Sequence, residues 1–196
     1  MTVATDAAAA RRSELLDAAI QVFLRYGYKK TSMDEVARAA GLSRPGLYLY
    51  FPAKELLFRE AVSHLLARAL SVARTSLVDV KRPLEDRIVD AFAAVHGHTI
   101  GSGVSAQHMA ELIDFTNELA SETVAEHDRA FKNELIRALT TAAPKSRRVT
   151  QGIAAPQLAD LLTVISVGLK HGTASLAEYR ERLHEAVGLL SKHERK

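Results

Sequence analysis

The chain has 196 residues, 47% hydrophobic and 25% charged, with a formal charge of +3 at pH 7 and no cysteine or tryptophan. That length holds one domain or two small ones, and the missing cysteine excludes disulfides and thiolate metal sites. No apolar run approaches the roughly eighteen residues a membrane span needs, and the opening MTVATDAAAARR has no apolar signal core, so a cytoplasmic protein is expected.

Five prolines, ten glycines and helical periodicity in nearly every long segment predict an all-α fold. Residues 1–10 read as a disordered arm. A first helix is expected from about Arg11 to Tyr26, with Leu15, Ala18, Ala19, Val22, Phe23 and Tyr26 on one stripe and Gly27 as its stop. Ser32 and Glu35 then form a capping box, in which each side chain reaches the other's backbone amide. Val36, Ala37 and Ala40 make a narrow apolar stripe, and Gly41 ends that short helix where a left-handed residue costs least. Leu42 plugs the turn and Ser43 caps a second short helix. This one ends near Phe51, because Pro52 disfavours helical geometry in the residue before it. Such a helix–turn–helix holds its second helix in the major groove of DNA. Residues 1–56 carry eight basic and six acidic side chains, so most of the small positive excess lies there, compatible with phosphate contact.

A long helix is expected from about Lys54 to Ser76, and another from Pro83 to about His98, closed by Gly101-Ser-Gly103. Helical sequence follows over roughly 105–142 with a break near Ser121, then a surface loop over 143–156. Pro156 opens a helix to about His171, and Ser175 with Glu178 caps a last one ending near Lys192. Leu158, Leu161, Leu162, Ile165 and Leu169 form one apolar stripe, with Gly168 permitting close approach. Leu183, Ala186, Val187 and Leu190 form a second. Two such faces either cover the body of the chain or pair with their own copy across a twofold axis as a four-helix bundle. A homodimer is favoured, since paired recognition helices read paired half-sites.

Residues 15–58, LLDAAIQVFLRYGYKKTSMDEVARAAGLSRPGLYLYFPAKELLF, resemble the DNA-binding head of TetR-family transcriptional regulators. The resemblance rests on AA and F before Gly27, Thr31 ahead of the capping box, AxxAGLS, and LYxYFxxKxxLF at 47–58. It implies a three-helix head over 11–53 and a helical effector-binding and dimerisation domain over 54–196. The implied function is a ligand-responsive repressor that binds palindromic operator DNA as a homodimer and is released by a small effector. It places Arg44, Pro45 and Gly46 at the bases, where Arg44 can donate two hydrogen bonds to a guanine edge. Tyr48 and Tyr50 match positions whose hydroxyls reach phosphates. Thr31 and Ser43 can donate to phosphate, and Lys54 adds charge at a helix N-terminus. Leu49 departs from the pattern, for many members carry a histidine or another polar residue there.

An effector pocket is expected among the helices between about 84 and 171, lined by Phe92, His96, Met109, Ile113, Phe115 and Phe131, with His171 as a polar anchor. His96 and His98 are two apart and cannot share an ion from one helix. His108, Glu111 and Asp114 do share a face, but charged faces of this kind are usually solvated, so neither a metal nor a cofactor is expected. No Ser/His/Asp order, glycine-rich phosphate loop or carboxylate pair points to an enzyme. A helical small-molecule binding or carrier protein without specific DNA binding is the alternative, motivated by Leu49 and the few polar groups on the recognition helix.

Overall fold

The computed structural model describes residues 2–100, 104, 106–142 and 153–191. Among these the chain forms eight helices and no strand: α1 (Thr2–Lys30), α2 (Met33–Ala39), α3 (Arg44–Tyr50), α4 (Lys54–Val78), α5 (Leu84–His96), α6 (Ala106–Ala142), α7 (Ala155–Gly172) and α8 (Leu176–Ser191). None of them is long and apolar enough to cross a membrane. The chain divides into two compact units, Met1–Ala67 with Gly103–Ala125 and Arg68–Ser102 with Glu126–Lys196.

Local signals explain most helix boundaries. At the end of α2, Gly41 takes φ 65°, which lets Leu42 N–H donate to the Ala37 carbonyl at 2.8 Å and Gly41 N–H to Arg38 at 3.1 Å. These two bonds satisfy carbonyls that a helix end leaves orphaned. The start of α1 differs from expectation. The helix reaches back to Thr2 through the residues read as a disordered arm, because Ala7–Ala10 join the strongest helix formers into one run. Gly27 does interrupt α1, with φ 78° and ψ 169°, and a short helical turn resumes behind it. In α6 the helix breaks at Ala120, beside the expected Ser121. The Gly101–Gly103 stop, most of the 143–156 loop and Lys192 lie outside the described residues.

The first unit is built round an aromatic knot. Tyr28 is buried, with ring centroids 5.0 Å from Phe58, 6.0 Å from Phe23 and 4.1 Å from Phe115. Leu15 and Ala19 of α1, Val36 and Ala37 of α2, Leu47 of α3, Leu57 of α4 and Leu112 of α6 close the same core. The second unit packs Ile88 and Phe92 of α5, Leu135 and Leu139 of α6, Leu158 and Leu162 of α7, and Tyr179 and Leu183 of α8. Asp90 of α5 ties α8 into this unit by accepting from Arg180, and from Arg82 as well. Burial alone would raise the Asp90 carboxyl, but the two guanidinium groups outweigh it and hold it below its ordinary range.

Candidate nucleic-acid interface

Both short helices are fixed at their N-termini. Ser32 Oγ accepts from Glu35 N–H at 3.2 Å while Ser32 N–H donates to Glu35 Oε2 at 2.8 Å, the expected capping box. Ser43 caps α3 by accepting from Gly46 N–H at 3.1 Å. A Cβ at Gly46 would stand 3.1 Å from that same Ser43 Oγ, so glycine leaves room for the cap. Leu47 and Phe51 anchor α3 in the core, fully buried. What remains on the outside is Ser43, Arg44, Pro45, Tyr48, Leu49 and Tyr50, all exposed, with Leu49 at 88%. The Arg44 guanidinium lies 5.8 Å from the Tyr48 ring centroid, a loose cation–π contact along the helix. A capped helix with a buried underside thus turns a polar, aromatic and apolar row outward.

Two expected phosphate ligands are placed otherwise. Thr31 is 2% exposed, and its hydroxyl donates to the Gly27 carbonyl at 2.7 Å. The Lys54 ammonium donates to the carbonyls of Tyr28 and Thr31, both at 3.0 Å, and sits 4.5 Å from the Tyr28 ring centroid. In this arrangement both side chains brace the link between α1 and α2, where Gly27 has broken the helix and left carbonyls without partners. The buried Thr31 hydroxyl is not open to a phosphate, whereas Lys54 is only half-buried.

Several braces lie far from the helix–turn–helix in sequence. Arg11 donates to the Ala40 carbonyl at 3.0 Å, and the Arg12 guanidinium stands 4.6 Å from the Phe51 ring centroid. From α6, Glu111 accepts from Lys29 N–H at 2.7 Å, against the same glycine that breaks α1. Arg59 of α4 donates to the Leu119 carbonyl at 3.1 Å. The nearest sequence signal was the pair Arg11–Arg12 at the start of the first apolar stripe.

The expected effector-pocket residues fall into two groups. Met109, Ile113 and Phe115 belong to the first unit, where Phe115 packs on Tyr28, whereas Phe92, His96, Phe131 and His171 belong to the second. Phe92 lies 6.3 Å from His96 and 5.1 Å from Phe131, and His171 is exposed. The expected dimer stripe is also split. Leu158, Leu162, Leu183 and Val187 are buried in the chain's own core, with Ile165, Leu169 and Leu190 packed against it. Leu161 is exposed, and with it Val164 at 70% and Leu189, two residues outside the expected stripes.

Residues 15–61 match the family model for bacterial regulatory proteins of the tetR family. The chain is 32% identical over 84 residues to the HTH-type transcriptional repressor ComR of Escherichia coli K12, covering 43% of this chain and 40% of ComR. It is 33% identical over 139 residues to the uncharacterized HTH-type transcriptional regulator MT1294 of Mycobacterium tuberculosis, covering 67% of this chain and 68% of that protein. The chain spans less than half the length of the first curated relatives it matches. Among solved structures, the SmeT–triclosan complex superposes with a TM-score of 0.65 at 16% identity over 94% of this chain and 93% of that one, a likeness of fold. With its head matched by the family model and MT1294 aligned over 68% of that protein's length, the chain belongs to the TetR family of bacterial regulatory proteins.

Proposed function

We propose that the chain is a transcriptional repressor that binds palindromic operator DNA as a homodimer and is released by a small molecule. The observation that carries this is the outer row of α3, with Arg44, Tyr48, Leu49 and Tyr50 exposed over a buried Leu47 and Phe51. Arg44 reads a guanine edge, and Leu49 meets a thymine methyl where a polar residue would seek a hydrogen bond. Ser43, Tyr48 and Tyr50 donate to phosphates and set the register. Pro45 and Gly46 allow close backbone approach, while Thr31 and Lys54 hold the head rigid instead of touching DNA.

Residues 11–53 serve as the reading head and 54–196 as the effector-binding and dimerisation part, with Glu111, Leu112 and Phe115 of α6 lent to the head as a brace. The dimer forms through Leu161, Val164 and Leu189, next to the open surface of Gly168, where a Cβ added to the glycine would meet nothing within 4 Å. Exposed apolar side chains grouped on neighbouring helices mark a protein contact. Release by a small molecule draws support from SmeT, whose complex with triclosan has this fold; that support is analogy at the level of fold.

Selection of bound duplexes from a random pool tests the proposal. Inverted-repeat enrichment, with affinity falling steeply as salt rises, is the expected result. Arg44→Ala should then weaken the selected site by about 1–3 kcal/mol and relax one base position. A pool without enrichment at low salt would leave a helical carrier as the function.

A further inference from the structure

The second unit gathers polar side chains, and those of His98 and His127 each carry a buried nitrogen without a hydrogen-bond partner among the described residues. His96 ends α5, its ring 6.3 Å from Phe92 and 6.3 Å from Tyr179. His98 follows in the same connection, and its Nδ1 is buried without a hydrogen-bond partner among the described residues. From α6 comes His127, 6% exposed, with Nδ1 at 3.4 Å from Asp128 and a buried Nε2 that has no partner there either. Lys170, near the end of α7, is half-buried and makes no ion pair among the described residues. The tyrosine hydroxyl of α8 is already taken, since Tyr179 and Ser166 share a hydrogen bond of 2.6 Å.

These groups lie within each other's electrostatic reach. Burial, reinforced by the Lys170 charge, pushes both His96 and His98 down to about 4. Burial lowers Lys170 as well, and Asp128 partly offsets that. At neutral pH the imidazoles of His96 and His98 are therefore uncharged, each with one N–H and one bare nitrogen. Lys170 and His127 bear on both histidines, and Asp128 opposes them at His96. Buried ring nitrogens without hydrogen-bond partners are rare in folded proteins and point to a missing one. The partner that matches is an acceptor with negative charge, because charge-assisted bonds from lysine and imidazole are the strong ones. A metal ion fits less well: no group of His, Asp and Glu among the described residues is arranged to hold one. The core beside His96 is aromatic, from Phe92, Phe131 and Tyr179, all buried.

We propose that Lys170, His96, His98 and His127 form the head-group site for a small organic carboxylate with an apolar body, and that this is the effector class. The second half of that statement rests on the ligand-released repressor proposed above. Binding of an anion favours the charged imidazolium, so His96 and His98 take up protons as the ligand arrives. Affinity therefore rises as pH falls from 7 towards the ligand's own carboxyl range.

The test is calorimetric titration of the full chain with benzoate and hexanoate, against benzamide and hexanamide, at roughly 10 mM, where a millimolar site fills. Both acids should bind at least about tenfold tighter than their amides, with net proton uptake revealed by buffers of different ionisation heat. Lys170→Met should abolish the difference between acid and amide. Lys170→Gln serves if the first variant fails to fold, and histidine NMR signals should titrate higher with benzoate bound. Equal binding of acids and amides, no binding of either, or binding without proton uptake overturns the site. Carboxylate binding that leaves operator DNA bound keeps the site and refutes its role as the effector switch.

Discussion

The two units differ in how completely their buried polar groups are satisfied. In the first, the breaks in the helices are answered by side chains: Thr31 and Lys54 take the carbonyls around Gly27, Glu111 takes the Lys29 amide, and Arg11 takes Ala40. In the second, nitrogens of His98 and His127 are buried without partners among the described residues, beside a Lys170 with no ion pair there. A head whose own atoms satisfy it is rigid by itself, as the proposed reading surface must be.

The largest effect should come from breaking the head's core. Phe51 is fully buried at the foot of α3 and lies under the Arg12 guanidinium. Phe51→Ala should cost about 3–5 kcal/mol by removing an aromatic side chain from a packed core. Chemical denaturation should show the loss, and operator binding should go with it. A sharper contrast sets one lysine against the other. Lys54→Met strips the ammonium from the carbonyls of Tyr28 and Thr31 and should lower stability by about 1–3 kcal/mol. Lys170→Met removes a half-buried cation that has no ion pair among the described residues and should leave stability unchanged or raised. Equal losses in thermal melts of the two variants would erase the contrast between the units.

What could be read from the residues in order was what nearby residues decide. The capping box of Ser32 and Glu35, the Ser43 cap and the left-handed Gly41 all act over three or four positions, and each stands where the pattern put it. Long reaches were invisible. Nothing around Glu111 announces that its carboxylate would meet Lys29 N–H from far along the chain, or that Met109, Ile113 and Phe115 fall in a different unit from Phe92 and Phe131. The apolar stripes were ambiguous for a different reason. Leu158 and Leu162 read the same whether they face their own core or a partner, and only three-dimensional packing separates them from Val164, which stays exposed. Thr31 shows the limit of a motif, since a conforming residue type in the right place turned its hydroxyl inward to Gly27.

The smallest effect tests whether the head's satisfaction reaches its exposed rim. The Ser32 backbone amide, and then its hydroxyl, donate to Glu35 and hold its carboxyl below the ordinary range. A group lowered on folding contributes stability above its unfolded value, about 4.3 for glutamate, and loses that contribution as pH falls through the folded value. The parent should therefore lose part of its stability on acidification below about pH 4.3, a loss that Glu35→Gln, with no proton to take up there, should lack. Ser32→Ala should cost about 0.5–2 kcal/mol near neutrality by removing the cap. In carboxyl NMR titrations it should also return Glu35 towards its ordinary value, because the hydroxyl donor is gone. Were Glu35 to titrate identically with and without Ser32, the cap would be open in solution, and α2 would enter DNA binding as a frayed helix instead of a fixed one.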